Sequence, residues 1–398
     1  VAVFDGKLAV AVEASIKQNP GQIRVYNTAD ASLNNTYTVG ALPDMVTFSK
    51  DGNFILSANE GEPNADYTND PMGTVSIIDL NNNTVTTLDF TSFNSQEAAL
   101  EANHFRVTGL NADLAKDVEP EYITVSEDSQ TAWVSLQENN GIAKINLLTK
   151  TIEAIFPLGY KDHMLPQNSL DASNEDGVTQ LKNWPVRGLY QPDAIVSVRI
   201  NGTDYVISAN EGDAREYEGT PGFIDIDRVK DLTLDATMFP ALEDYQNEAN
   251  LGRLNVMLTE GDIENDGDYD YLYSYGARSF SIWCANGALV YDSGNSIATQ
   301  TLAVTPATFN DEDKRSDDKG AEPESVEVLN IGNQRYILFV GLERTDQIMV
   351  YDITNPNAPE FLSILSHAGD EAPEGLLVIP AADSPTGKDL LVVSNEDS

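Results

Sequence analysis

A repeated pairing of proline with an acidic residue constrains this chain more than any other feature. Five times along the sequence, a proline and an acid open a run rich in β-branched residues, and a second acid closes the run that follows. Strand pairs that recur at irregular intervals over a whole chain are typical of a β-propeller. The opening pairs are Pro43-Asp44, Pro120-Glu121, Pro192-Asp193, Pro323-Glu324 and Pro373-Glu374, and the closing acids are Glu60, Glu138, Glu211, Glu343 and Glu396.

These repeats predict an all-β fold, a single β-propeller of about seven blades with long insertions between strands. The insertions at 90–118, 159–187, 228–251 and 307–321 are expected to be ordered, with short helices near 96–103 and 241–249. Residues 1–398 form one domain. Both ends fall inside blade-like segments, so we expect a fragment of a longer protein, cut at both ends, with about eight blades. The blade-like segments are 1–30, 41–80, 119–150, 188–226, 252–292, 322–353 and 372–398.

The charge of the chain restricts its partners. There are 64 acids against 23 bases, for a formal net charge of −41. Such a surface repels nucleic acid and favours cations or cationic material, and the alternative cause of the charge is adaptation to high salt. No apolar run approaches the roughly 20 residues that a membrane helix needs. We therefore expect metal ions as partners, with no nucleic acid and no membrane span in this segment.

One local motif resembles a calcium loop. Asp262, Glu264, Asp266 and Asp268 alternate along the chain, and Gly267 allows a tight turn between them. Carboxylates at alternate positions wrap oxygens around calcium in the first half of an EF-hand loop. Tyr273 stands where the bidentate glutamate would be, and the flanking sequence predicts strands. The motif therefore predicts a calcium-binding loop between strands, with a plain acidic turn as the alternative.

The repeat acids form a second candidate metal site. Equivalent positions in a propeller lie in a ring around its axis, so these acids are expected to converge at one end of the central channel. Crowded carboxylates raise one another's pKa values, and a metal ion or a base relieves the repulsion. The alternative is that each acid caps the backbone of its own blade. The residues predicted to hold a metal here are Glu60, Glu62, Glu211, Asp213 and Glu374.

The few bases near these acids are candidates for binding an anion. Arg278, Arg344 and Lys319 are expected to converge with the acid ring and to stabilise charge on a phosphoryl group as catalytic residues, because arginine and lysine beside a metal commonly polarise such groups. A substrate-binding role is predicted for Arg215, Glu121 and Glu324. The alternative is that the bases only neutralise the acid ring. The sequence contains no HExxH, GxSxG or glycine-rich phosphate loop opening a helix.

Several longer motifs resemble one known family. They include Ser57-Ala-Asn-Glu-Gly-Glu-Pro-Asn-Ala-Asp66, Ser208-Ala-Asn-Glu-Gly-Asp-Ala-Arg215, Tyr275-Gly-Ala-Arg-Ser-Phe-Ser-Ile-Trp283 and Arg315-Ser-Asp-Asp-Lys-Gly-Ala-Glu-Pro-Glu324. Together they resemble the choice-of-anchor I family of secreted propellers, which is similar to mesenchyme-specific cell-surface glycoproteins and to a domain of large atypical alkaline phosphatases. The resemblance implies an extracellular or cell-surface location, with the periplasm as the alternative. Through the phosphatase members, it also implies a calcium-dependent phosphoesterase.

Two functions remain open at this point. The first is a secreted, calcium-dependent phosphomonoesterase in which channel acids hold calcium, with room for a second metal, and the bases bind a phosphate ester. The second is a non-catalytic module for adhesion or coat assembly, stabilised by calcium and facing cell-surface material. A metal with an open coordination position beside an arginine would favour the enzyme.

Overall fold

The first half of the chain consists of three antiparallel sheets of four consecutive strands. The structure is a computed structural model that describes residues 1–396. Short turns join neighbouring strands, as antiparallel pairing allows. The strands are β1 (Ala2–Phe4), β2 (Lys7–Val12), β3 (Pro20–Asn27) and β4 (Leu33–Ala41); then β5 (Pro43–Phe48), β6 (Phe54–Asn59), β7 (Thr74–Asp79) and β8 (Thr84–Leu88); then β9 (Pro120–Val125), β10 (Thr131–Leu136), β11 (Gly141–Asn146) and β12 (Thr151–Pro157).

The fourth sheet is interrupted by a long insertion. After β13 (Tyr160–Asp162) and β14 (Val186–Leu189), the sheet begins with β15 (Ile195–Ile200) and β16 (Thr203–Asn210) and is completed by β22 (Ser279–Cys284) and β23 (Leu289–Asp292). The predicted segments 188–226 and 252–292 are therefore one blade, not two, because β16 pairs directly with β22. The intervening strands are β17 (Glu216–Tyr217), β18 (Phe223–Ile224), β19 (Ile226–Arg228), β20 (Asn255–Met257) and β21 (Leu272–Ser274).

The chain continues with a fifth sheet and a hairpin. The fifth sheet contains β24 (Pro323–Asn330), β25 (Tyr336–Leu342), β26 (Gln347–Asp352) and β27 (Glu360–Leu365), and the hairpin contains β28 (Pro373–Ile379) and β29 (Leu390–Asn395). The described residues thus form five four-stranded blade-like sheets and one blade-like hairpin, and the insertions add one three-stranded sheet (β13, β14 and β21) and two two-stranded sheets (β17–β18 and β19–β20). The predicted all-β propeller class is confirmed.

Short helices occupy the insertions. A 3₁₀ turn (Thr91–Gln96) leads into α1 (Glu97–Glu101), close to the predicted helix, and α2 (Leu114–Asp117) follows. The helix predicted at 241–249 is shorter, α3 (Leu242–Tyr245), and α4 (Ser296–Val304) was not predicted. The remaining 3₁₀ turns are Pro166–Asn168, Val229–Asp231, Pro306–Thr308 and Glu343–Thr345. None of the helices among residues 1–396 is long and apolar enough to cross a membrane.

Apolar side chains fill the spaces between neighbouring sheets. Between the second and third sheets, Leu56, Ile77 and Val134 are fully buried, and Phe90 and Phe105 from the 89–118 insertion pack into the same cluster. Each such side chain stabilises the fold by about 1.5–3 kcal/mol relative to exposure. The insertion is therefore an integral part of the core.

The other two large insertions are joined to each other. β14 pairs in parallel with β21, which connects the segment after the third sheet to the segment inside the fourth. Val186, Val229, Leu254 and Leu272 form a buried cluster between them. The insertions are consequently rigid enough to place charged side chains at one end of the propeller.

Candidate metal centre

In four of the five proline-acid pairs, the acid lies in or beside an irregularity of its strand. Pro43, Pro120, Pro323 and Pro373 are each the first residue of an edge strand, where a missing N–H costs no ladder hydrogen bond. The pairing register shifts immediately after each of these prolines, as in a β-bulge. Bulges change the direction of a side chain and are frequent beside functional sites. This local geometry turns the acids out of the regular strand pattern.

The acids of four of the four-stranded sheets and of the β28–β29 hairpin converge on one cavity of about 440 Å³. The five acids expected to converge, Glu60, Glu121, Glu211, Glu324 and Glu374, all line it. The lining residues, all from the described part of the chain, include no lysine or arginine. The full set of lining acids also contains Asp44, Asp193 and Asp213. Eight carboxylates therefore line a single cavity.

Two identical turns position Glu60 and Glu211. In each Ser-Ala-Asn-Glu-Gly sequence the asparagine is fully buried and ends the second strand of its sheet. Asn59 donates to the Thr74 carbonyl oxygen at 3.0 Å and to Ser76 Oγ at 3.1 Å. Asn210 donates to Ser279 Oγ at 3.1 Å and to Ser281 Oγ at 2.8 Å. The asparagine locks the strand end, so the glutamate that follows has a defined direction.

The glycine after each glutamate is required by the turn. Gly61 and Gly212 have φ values of +72° and +90°. A Cβ on Gly212 would lie 2.1 Å from the Gly276 backbone nitrogen, and a Cβ on Gly61 would lie 2.6 Å from that of Gly73. Only glycine fits both the conformation and the close backbone approach.

Asp44, Glu60 and Glu121 form one half of the cavity. One carboxylate oxygen from each lies within 4.8 Å of the others. Burial raises the pKa of Glu60 to about 9, and the charges of Glu62 and Asp44 add to the effect. Burial and the charge of Glu60 raise the pKa of Glu121 well above its ordinary value. The raised pKa values reflect the unfavourable energy of holding three carboxylates together in a buried site without a compensating cation.

A further carboxylate adjoins this half of the cavity. Glu138 is 8% exposed, and within residues 1–396 its Oε2 atom has no hydrogen-bond partner. Burial raises the pKa of Glu138 to about 7, while Arg215 opposes the shift. Glu138 also raises the pKa values of Glu60 and Glu121, so its charge acts on the same cluster. A buried oxygen without a partner is costly unless a cation or a proton satisfies it.

Glu211, Glu322 and Glu343 form a second group of three carboxylates within 4.8 Å, and here bases are present. Lys319 Nζ lies 2.5 Å from Glu211 Oε1 and 3.6 Å from Glu322 Oε2. Arg315 Nε donates to Glu322 at 2.6 Å. The pKa of Glu211 is raised by burial only to about 7, because Lys319 opposes the shift. This group is an ion-pair network of the kind that neutralises buried acids.

Of the three predicted catalytic bases, two belong to this network and one does not. Arg344 is 39% exposed and contacts Glu322 Oε2 at 3.3 Å and Glu343 Oε1 at 3.0 Å. Arg278 lies away from the acidic cavity, and its guanidinium donates to the backbone carbonyl oxygens of Asp171, Ser316 and Asp318 at 2.7, 2.9 and 2.5 Å. The expected convergence of Arg278 with the acid ring is therefore wrong, because its donors hold two insertions together instead.

Arg215, for which a substrate-binding role is predicted, lies in a buried set of ion pairs. It is 3% exposed and pairs with Asp117 Oδ1 at 2.7 Å and Glu119 Oε1 at 3.4 Å. It also donates to Thr108 Oγ1 at 3.0 Å. Its buried guanidinium anchors the 90–118 insertion beside the cavity, and a substrate-binding role stays a prediction.

The predicted calcium loop forms an exposed turn. Asp262 accepts hydrogen bonds from the backbone N–H groups of Asp266 at 3.1 Å and Gly267 at 3.0 Å. Glu264 contacts Asp270, and this carboxyl pair raises the pKa of Glu264. The loop carboxylates, including Asp268, belong to neither group of three converging acids found in the described residues. Calcium at this loop stays a prediction.

Five participants were outside the predicted site. They were not assigned to a metal or a substrate, although four of them are opening or closing acids of the repeat: Asp44, Glu138, Asp193, Glu322 and Glu343. Glu322 precedes the pair Pro323-Glu324. Nothing in the sequence indicates that three bases lie close to it: Arg315, Lys319 and Arg344. The other predicted metal ligands lie at or beside the cavity: Glu374 and Asp213 line it, and the charge of Glu62 acts on Glu60.

The sheets and the acid-lined axial cavity define a β-propeller-like protein whose central site carries carboxylates. The chain belongs to the choice-of-anchor I domain family, whose model matches residues 1–356. A curated relative is Gigasin-3a from Magallana gigas, 37% identical over an alignment that covers 38% of this chain and 63% of that protein. The chain thus matches less than two thirds of that relative's length.

Two solved structures match most of this chain at low sequence identity. The periplasmic gluconolactonase of Pseudomonas aeruginosa is 12% identical, with 97% of this chain and 76% of that chain covered and a TM-score of 0.41. A 6-phosphogluconolactonase-like protein of Bacteroides fragilis is 11% identical, with 98% and 75% covered and a TM-score of 0.43. The fold assignment stands on the sheets themselves.

Proposed function

We propose that this chain is an extracellular or cell-surface propeller module that binds calcium in its axial acidic cavity. The observation that carries the proposal is the cluster of Asp44, Glu60 and Glu121, whose carboxylate oxygens lie within 4.8 Å of one another with no base lining the cavity. Family membership and the family's name support the surface location.

The donor set fits a hard divalent cation. Calcium prefers six to eight oxygen ligands and tolerates irregular geometry, whereas magnesium requires a near-ideal octahedron. The three carboxylates, with the unpartnered Oε2 atom of Glu138 beside them, supply oxygens only. A bound calcium ion would supply the positive charge that the raised pKa values show to be missing.

Calcium titration by isothermal calorimetry tests this proposal. The double variant Glu60→Gln, Glu121→Gln should weaken binding by about 100-fold or more, because even outer-shell substitutions cost 10–100-fold in metal affinity. The matched control is Glu243→Gln, Asp244→Asn, which removes two exposed acids of α3 and should leave binding unchanged. Binding that survives in the cavity variant would refute the proposal. If binding is lost only in Asp262→Asn, Asp266→Asn, the calcium site is the exposed loop.

A second candidate function, a calcium-dependent phosphomonoesterase, is favoured by a neighbouring cavity. This cavity of about 450 Å³ is lined by Arg228, Arg315 and Lys319, and it shares Asp213 with the acidic cavity. A phosphate ester bound there would contact these bases while its oxygens approach the cation. Calcium-stimulated hydrolysis of p-nitrophenyl phosphate, lost in Glu60→Gln, Glu121→Gln, would support the enzyme. Bound calcium without hydrolysis would favour a non-catalytic module.

A further inference from the structure

Lys319 occupies the position that a metal ion would take beside Glu211 and Asp213, which form the second half of the cavity, here called the Glu211 half. Its ammonium lies 2.5 Å from Glu211, 3.6 Å from Glu322 and 3.8 Å from Asp213. Glu211 and Asp213 line the acidic cavity, and Glu211 and Glu322 belong to the second group of converging carboxylates. A lysine ammonium is a compact point charge with three N–H donors, so it can pair with several carboxylates at once, as a metal ion does.

The segment that carries Lys319 is held firmly in place. Arg278 binds the carbonyl oxygens of Ser316 and Asp318, on either side of Asp317. Arg228 and Arg253 both pair with the Asp317 carboxylate, Arg253 at 3.0 Å. The lysine lines the neighbouring cavity of about 450 Å³, and the anchored loop holds it against Glu211 at the wall of the acidic cavity, with only 14% of its side chain exposed.

The two halves of the cavity differ in whether their glutamate is paired with a lysine. Glu60 and Glu211 leave identical Ser-Ala-Asn-Glu-Gly turns, yet Glu60 has no ion pair among the described residues and Glu211 has Lys319. Gln137 further fixes Glu211 by donating to its Oε2 atom at 2.9 Å. A divalent cation cannot approach Glu211 without displacing the ammonium.

We infer that Lys319 is a built-in cation that neutralises the Glu211 half of the cavity from its wall and limits divalent-cation binding to the Glu60 half. The inference rests on the proposed function for the Glu60 half only. It follows that the Glu211 half is a latent calcium site, opened by removing one amine, and that Lys319 sets the number of ions the cavity holds.

The test is the stoichiometry of calcium binding to the full chain, measured by calorimetry and by metal analysis after dialysis. Lys319→Met keeps the length of the side chain and removes the charge, and it should bind one more calcium ion than the wild type. Adding Glu211→Gln to that variant should abolish the extra site. Lys319→Arg keeps the charge and should retain the wild-type number. Lys314→Met removes an exposed lysine of the same loop and should also retain it.

The outcomes separate this inference from the proposed function. An unchanged stoichiometry in Lys319→Met would overturn the inference, whatever the wild type binds. If the wild type binds no calcium in the cavity but Lys319→Met binds one ion, the proposed function fails and the inference stands. Should Lys319→Met fold poorly, its thermal unfolding is measured with calcium and with chelator. Rescue by calcium beyond the wild-type shift supports the latent site, and an absence of rescue refutes it.

Discussion

The Glu60 and Glu211 halves of the cavity begin from the same five residues and end in different electrostatic states. Both turns use a buried asparagine and a glycine of positive φ to aim a glutamate at the axis. The Glu211 half then receives Lys319 from a distant loop, whereas the Glu60 half receives more acids, Glu121 and Asp44. Backbone geometry is therefore shared within the repeat, while the charge state of each site is decided by the insertions that reach it.

If the two Ser-Ala-Asn-Glu-Gly turns share one backbone geometry, removing the buried asparagine should destabilise the protein equally in both halves. Asn59→Ala and Asn210→Ala should each lower the free energy of unfolding by about 4 kcal/mol, because several buried hydrogen-bond partners are left unsatisfied. Chemical denaturation with a calcium chelator measures both. Costs that differ by more than about 1.5 kcal/mol, beyond the usual scatter between contexts, would show that the two turns are not equivalent.

The two halves should differ, in contrast, in how much a nearby lysine contributes to the free energy of unfolding. With chelator present, Lys319→Met should lower the free energy of unfolding by about 3 kcal/mol, because it leaves buried carboxylates without their partner. Lys17 is exposed and acts on Glu60 only through space, so Lys17→Met should change the free energy by less than about 0.5 kcal/mol. Equal effects of the two substitutions would mean that Lys319 is not the distinguishing feature.

The pH dependence of stability should sharpen the contrast further. Glu60 has a pKa of about 9 in the folded protein, above its unfolded value, so the folded state binds the extra proton and stability falls as pH rises toward 9. The pKa of Glu211 is about 7, so its contribution ends near pH 7. Between pH 7 and 9 in chelator, Glu60→Gln should reduce the slope by up to about 1.4 kcal/mol per pH unit, and Glu211→Gln should not.

Thermal or chemical unfolding at several pH values measures these slopes. Saturating calcium should flatten the wild-type slope if the ion is held at Glu60, since the cation then replaces the proton. A slope that responds to Glu211→Gln as strongly as to Glu60→Gln would contradict the assignment of the uncompensated half.

The regular part of the site was predictable because it depends on local chemistry. A proline that opens an edge strand, an acid beside it and a second acid after the next strand recur in register, so Glu121, Glu324 and Glu374 could be placed around one axis from the sequence. The strand composition of the fourth blade could not be predicted, because an insertion of 68 residues, 211–278, separates β16 from β22 and itself contains strands. The periodicity of a strand in the sequence does not identify the strand with which it pairs.

The sequence by itself determined the all-β repeat, the family and the convergence of acids, since strand alternation and strand-end positions are local properties. Only the tertiary structure decided which acids are compensated. The three bases Arg278, Arg344 and Lys319 were all expected to meet the acid ring, yet Arg278 binds carbonyl oxygens, Arg344 lies at the half-exposed edge and Lys319 pairs with Glu211 at the wall of the cavity. The physical reason is that an ion pair is set by distance in space. Long insertions bring charges together across more than a hundred residues, as between Lys319 and Glu211.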